Sequence, residues 1–203
     1  MVYRKTKRKK EILVPREVRA MMGEVKGQSL QAHRLRAVIA VFYRCAIRHQ
    51  EMIELMPDDL DFDHHCLTVH FGKGNRRRVV AMDSWVEHLM RKWLVARSNL
   101  PGVTLDNPVF CNIKSPTSGG YLDQQVTRRM IKRVAKSAGI RKNVFPHSLR
   151  HTAAFEMANE NIPTHIIQAI LGHSNLATTG VYLDHLTPQK TIDVMRARPL
   201  KML

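Results

Sequence analysis

A mainly α fold with one small antiparallel β-sheet is what the 203-residue sequence predicts. Three observations point there. Apolar residues recur at helical spacing through most of the chain, and one stretch alternates about a central turn. Aromatic residues make up only 6% against 44% apolar in all, which suits a core of Leu, Val, Ile, Ala and Met better than a β-sandwich. The length fits one domain or two small ones. No internal repeat or interdomain linker is visible, so a single domain is expected.

In chain order, residues 15–25 read as a short helix opened by Pro15. Residues 29–47 read as a longer one, with Leu30, Leu35, Val38, Ile39, Phe42 and Tyr43 at helical spacing. Residues 49–56 form another, ended by Pro57 and an Asp-rich loop. Residues 66–71 alternate, Gly72, Lys73, Gly74 and Asn75 supply a turn, and residues 77–82 return, which makes a β-hairpin. Helices are predicted over 83–98, 123–138, 146–160, 164–171, 178–183 and 188–196, with 109–113 as one more short strand.

Charge narrows the function classes. Lys and Arg number 33 against 17 Asp and Glu, a formal +16, and the pI is about 10.3. Such a chain attracts polyanions, of which nucleic acid is the commonest inside a cell. The excess is concentrated. Arg4, Lys5, Lys7, Arg8, Lys9 and Lys10 form a basic arm without an acid; Arg76, Arg77 and Arg78 follow Lys73; and Arg128, Arg129, Lys132, Arg133 and Lys136 lie in an acid-free run from Gln124 to Phe155. One such run is commonly a solvated helix face, but three together favour a surface that contacts phosphates. Cys45, Cys66 and Cys111 are odd in number and widely spaced, which argues against a disulfide framework or a Cys-based zinc site and for three small buried hydrophobes. With no membrane-length apolar run and a charged N-terminus, the chain reads as soluble and cytoplasmic.

Four clusters carry candidate chemistry. In Pro146-His-Ser-Leu-Arg-His, the residues His147, Arg150 and His151 stand at i, i+3 and i+4 on one helix face and suit a phosphate better than a core. A zinc site there lacks the accompanying Glu. Leu171-Gly-His173 is followed nine residues later by Tyr182; taken alone, that His can end a helix and that Tyr can be core. Arg48 can simply pair with Glu51 across one turn, and Lys73 can be an exposed turn residue.

Order and joint chemistry separate the sharp reading from four bland ones. The sequence resembles the C-terminal catalytic domain of the tyrosine recombinase (phage integrase) family. That family's Arg in Gly-x-Arg-x-Ser-Glu, hairpin Lys, His-x-x-Arg-His, Leu-Gly-His and Tyr match Arg48, Lys73, His147 with Arg150, His173 and Tyr182, in order. Ala46 stands for the usual Gly, Gln50 for Ser and Ala81 for a common Pro. The likeness runs over about 12–189, so the chain resembles members made of the catalytic domain alone: a basic arm (1–11), a catalytic domain (12–186) with the tyrosine recombinase catalytic-domain fold, and a C-terminal segment (187–203) that docks on a neighbouring protomer.

The resemblance implies site-specific DNA recombination of integrase, invertase or resolvase type, from a bacterial, plasmid or phage gene of a mobile element. Tyr182 attacks a phosphodiester and forms a 3′-phosphotyrosyl link. Arg48 and Arg150 clamp the phosphate, Lys73 protonates the leaving 5′-oxygen, His147 takes the tyrosine proton and His173 bonds the phosphate. Glu51 and His151 support the site. No metal or other cofactor is implied. Double-stranded DNA is the partner, held by a homo-tetramer on two sites, with accessory DNA-bending proteins as further partners. Arg4, Lys5, Lys7, Arg8, Lys9, Lys10, Arg76, Arg77, Arg128, Arg129, Lys132 and Arg133 are the expected DNA contacts. Two alternatives stand beside it: a type IB topoisomerase-like relaxing activity that uses the same residues, and, of a different class, a DNA-binding accessory or regulator that keeps the fold without strand exchange, against which the intact set of six catalytic groups argues.

Overall fold

The structure, a computed structural model, describes residues 12–71, 76–114 and 116–172. The chain divides into two compact units, Met1–Ala153 and Ala154–Leu203. Seven α-helices and one three-stranded sheet occupy the described residues, in the order α1 (Pro15–Glu24), α2 (Leu30–Ala40), α3 (His49–Glu54), β1 (Leu60–Asp61), β2 (Cys66–Phe71), β3 (Arg76–Ala81), α4 (Ser84–Ser98), α5 (Gln124–Ser137), α6 (Pro146–Asn159) and α7 (Thr164–Leu171). The predicted mainly α class with a small antiparallel sheet is what is found. No helix among the described residues is long and apolar enough to cross a membrane.

Within the first unit, α2 is the central helix. Ala37, Val38, Ile39 and Ala40 are wholly buried, and α4 and α5 both pack on it. Starts follow the chemistry expected of helix termini: Ser29 Oγ accepts from the Ala32 amide, Asp83 from Val86, and Asp123 from Gln125 and Val126. The sheet has the order β1-β2-β3, all antiparallel, with Cys66 opposite Ala81 and Phe71 opposite Arg76. α6 is tied to the start of the described chain, because Thr152 Oγ1 accepts from the Leu13 amide at 2.9 Å. Lys142, just before α6, donates to the Ile12 carbonyl and to Glu17.

Four expectations are corrected. The single helix predicted over 29–47 stops being α-helical at Ala40; a π-helical turn, Val41–Cys45, follows, and Ala46 at φ 52° is left-handed and ends the run. The strand predicted over 109–113 shrinks to one bridge, Cys111 with Tyr121, because its backbone is engaged elsewhere: the Val109 carbonyl accepts from the Trp93 indole, the Val109 amide donates to Leu55, and the Cys111 carbonyl accepts from Arg34. Cys45 and Cys111 are buried free thiols, whereas Cys66 is only half-buried. Burial pushes the Cys45 thiol up to about 12. Strand β1, two residues long, lies in what reads as a loop. The helices predicted over 178–183 and 188–196, the arm and the 187–203 segment lie outside the described residues.

Candidate active site

The site is organised around a buried carboxylate. Where the left-handed Ala46 redirects the chain, Arg48 becomes the extended N-cap of α3 and Glu51 falls three residues into it. Glu51 reaches back to the Arg48 amide at 2.6 Å, as an N3 glutamate does in a capping box. It also accepts from the Arg48 side chain at 2.8 Å and, bidentately, from Arg78 of β3 at 2.9 and 2.7 Å. Arg150 stands 3.9 Å from the same carboxylate. Burial opposes charge on Glu51, but the hydrogen bonds from Arg78 and Arg48 outweigh it and hold its carboxyl below the ordinary value.

α6 brings the other half. Pro146 opens it, and Arg150, only 2% exposed, donates to the Ala46 carbonyl at 2.6 Å. The left-handed turn at Ala46 thus aims a carbonyl at the Arg150 guanidinium. His147 is exposed and His151 buried, their rings edge to face with centroids 4.0 Å apart. The side chain of Arg48 keeps 38% of its surface in solvent despite its pairing. A pocket of about 440 Å³ opens here, lined by His147, Arg150, Arg128, His49, Phe145 and Ile47. Two guanidiniums and two imidazoles around one small cavity suit a phosphate, whose non-bridging oxygens guanidinium forks match.

His49 lies against Phe42, ring centroids 5.7 Å apart, and its Nε2 is buried with no hydrogen-bond partner among the described residues. Burial, then the nearby Arg128, hold its pKa down to about 4. The imidazole is therefore neutral at ordinary pH, so the pocket gains a polar wall without a further charge.

Of the residues expected from sequence, Arg48, Glu51, His147, Arg150 and His151 are brought together in the first unit, and Arg128 joins them. The simple Arg48–Glu51 pair and the clustered site turn out to be the same contact. Arg77 is exposed on β3, Arg76 lies on the same strand, and Lys132 is exposed on α5. Arg129 and Arg133 line a different pocket from Arg128. Lys73, His173, Tyr182 and the arm residues lie outside the described residues. Among the described residues no group of three His, Cys, Asp or Glu side chains is placed to hold a metal ion.

Two site residues escaped the sequence reading. Arg78 was legible by strand alternation: it shares parity with the buried Val80, whereas Arg77 and the 61% exposed Val79 point outward. His49 gave no signal beyond its place beside Arg48.

The chain is similar to proteins of one family. The sequence profile of the phage integrase family matches residues 11–189. The chain is 31% identical over 170 residues to tyrosine recombinase XerC of Thermodesulfovibrio yellowstonii, covering 81% of this chain and 54% of that protein. It is 30% identical over 173 residues to tyrosine recombinase XerD of Staphylococcus saprophyticus, covering 85% and 57%. The chain thus spans little more than half the length of these relatives. Among solved structures, XerA recombinase superposes with a TM-score of 0.76 at 27% identity over 94% of this chain and 66% of that one. XerH site-specific recombinase, bound to palindromic difH substrate in a post-cleavage complex, superposes at 0.75 with 25% identity over 93% and 53%.

Proposed function

Because the chain belongs to the phage integrase family, we propose that it is a site-specific tyrosine recombinase that cleaves and rejoins double-stranded DNA through a 3′-phosphotyrosyl intermediate. The observation that carries this is the Glu51 hub, which holds Arg48 and Arg78 and stands beside Arg150 at the pocket that His147 lines. Guanidiniums fixed before substrate arrives lose little geometry on binding and stabilise the charge that grows on the phosphate oxygens.

In this reading the Tyr182 oxygen attacks the phosphorus and gives up its proton to His147. The bond to the 5′-oxygen breaks, and that oxygen takes a proton from Lys73. His173 hydrogen-bonds the phosphate. One phosphoester replaces another, so bond energy is kept and no ATP is required, and the 5′-hydroxyl of a partner strand reverses the step. Exchange of both strand pairs uses four protomers on two sites, with 187–203 docking between neighbours and DNA-bending proteins as accessory partners. The arm, Arg76, Arg77, Arg128 and Lys132 supply backbone contacts. No observation favours the relaxing or regulatory alternative.

The test is a nicked suicide substrate drawn from the DNA flanking the gene, incubated with the full chain in the presence of EDTA. A covalent adduct is expected, mapped by peptide sequencing to Tyr182, while Tyr182→Phe binds the same DNA and forms none. An adduct on Tyr3, Tyr43 or Tyr121, or a metal requirement, overturns the assignment.

A further inference from the structure

Away from the candidate active site, one buried guanidinium is short of hydrogen-bond acceptors among the described residues. Arg34 of α2 is only 5% exposed. Its Nη1 donates to the Cys111 carbonyl at 2.8 Å and its Nη2 meets the Met130 sulfur at 3.7 Å, but its Nε is buried without a partner among the described residues. Arg97, buried to a similar degree, shows how a purely structural arginine is treated, since the carbonyls of Pro108, Thr104 and Asn107 all accept from it. A buried charge left short of partners is costly to the fold.

Arg34 lines a pocket of about 690 Å³ bounded by the end of α1, the start of α2, the loop at Lys114 and the length of α5. Lys114, Arg129 and Arg133 line it too, against a single carboxylate, Glu24. Arg129 and Arg133 are one helical turn apart, so their forks converge on one volume. The remaining wall includes Leu35, Val126 and Val134. Arg128, the neighbour of Arg129, lines the active-site pocket instead, so the two cavities share a helix but not a face.

We infer that this second pocket binds a phosphate group, held by Arg129, Arg133 and Lys114, offsetting the charge of Arg34, with the attached sugar or base against the apolar wall. Several converging guanidiniums suit a phosphate better than a carboxylate, because each fork engages two oxygens. The phosphate belongs either to a DNA strand or to a free nucleotide. The first source rests on the function proposed above; the second does not.

The experiment titrates the full chain calorimetrically, at fixed ionic strength, with inorganic pyrophosphate, dAMP and a short random-sequence duplex. Two variants are compared with wild type: the double Arg129→Ala, Arg133→Ala, and Gln31→Trp, which fills the pocket from an exposed lining position without altering charge. Binding of dAMP or pyrophosphate that both variants weaken roughly ten-fold or more supports the pocket with a free nucleotide as its source. Binding of the duplex alone, weakened by both, with the log affinity against log salt slope shallower by about 0.9 in the double variant for one lost phosphate contact, supports DNA as the source. If either variant binds all three probes as wild type does, the pocket is overturned; an effect of charge removal without one from Gln31→Trp is diffuse attraction. Adduct formation at Tyr182 on the same preparations reads the cleavage reaction separately, so failure of the pocket and failure of the recombinase reading are distinguishable.

Discussion

Arg150 and Arg34 are both guanidiniums shut away from water, yet their surroundings differ in kind. Arg150 stands beside a carboxylate that already holds two other arginines and donates to a carbonyl aimed by a left-handed turn. Arg34 has one carbonyl, one sulfur and an open pocket edged with further cations. The first arrangement is complete before any ligand arrives, as a site that stabilises a transition state must be. The second leaves charge uncompensated, as a site completed by its ligand does. Buried positive charge is therefore met in two ways here: Arg150, like Arg97, is engaged by acceptors of the chain itself, whereas Arg34 keeps one donor without an acceptor among the described residues.

The largest expected effect that sharpens this contrast is on chemistry. Arg150→Ala should slow adduct formation on the suicide substrate by roughly 100- to 1,000-fold, the loss typical of one preorganised donor, with DNA affinity by electrophoretic shift changed far less. A loss confined to affinity would place Arg150 with the binding cations instead.

Next is the hub. Glu51→Gln leaves Arg78 and Arg48 without their anion and should cost about 3 kcal/mol in urea unfolding at neutral pH. The wild-type contribution has a defined pH range. Because the folded carboxyl titrates below its ordinary value of 4.5, it is fully present above that pH and is lost as pH falls through the lower folded value. The variant's disadvantage should therefore shrink under acid; a disadvantage that is flat with pH would mean that packing, not charge, is what Glu51 supplies.

Arg78→Lys keeps the charge and removes the bidentate fork. A loss of about 1 kcal/mol in stability is expected, together with a several-fold slower cleavage that titrating in more DNA does not restore. Recovery at high DNA concentration would move Arg78 from the hub to the binding surface.

The smallest effect tests the turn. Ala46→Gly relieves a left-handed alanine, worth roughly 1 kcal/mol, against a gain in unfolded-chain freedom and the loss of a buried methyl, so midpoints in urea should move by less than about 1 kcal/mol. Adduct rates should stay close to wild type if the Ala46 carbonyl keeps its place.

Much of this was legible in the sequence, for physical reasons that vary by element. α5 reads cleanly because Asp123 caps it and a regular apolar stripe buries Ile131, Val134 and Ala135. The hairpin reads because alternation and a Gly-rich turn coincide. The break of the 29–47 helix does not, because alanine at position 46 hides a backbone conformation that glycine would have advertised. The strand at 109–113 fails because β-propensity cannot foresee that Trp93, Arg34 and Leu55 claim its polar groups. Arg48, Glu51 and Arg150 were found because their order in the sequence resembles that of the phage integrase family. Arg34 was not, since an arginine on a helix reads as surface until its neighbours are known.

The tie between Leu13 and Thr152 has a consequence in time as well as in space. It spans 139 residues, and the Lys142–Ile12 and Lys142–Glu17 contacts span 130 and 125. Contacts so distant in sequence demand that a long loop close before they give anything back, which places them late and slows the search for the native state. On a ribosome, chain is made N-terminus first, so α1 and the Glu51 hub emerge well before the helix that carries Arg150. The cluster that joins Arg150 to Glu51 can therefore form only after most of the chain has been synthesised.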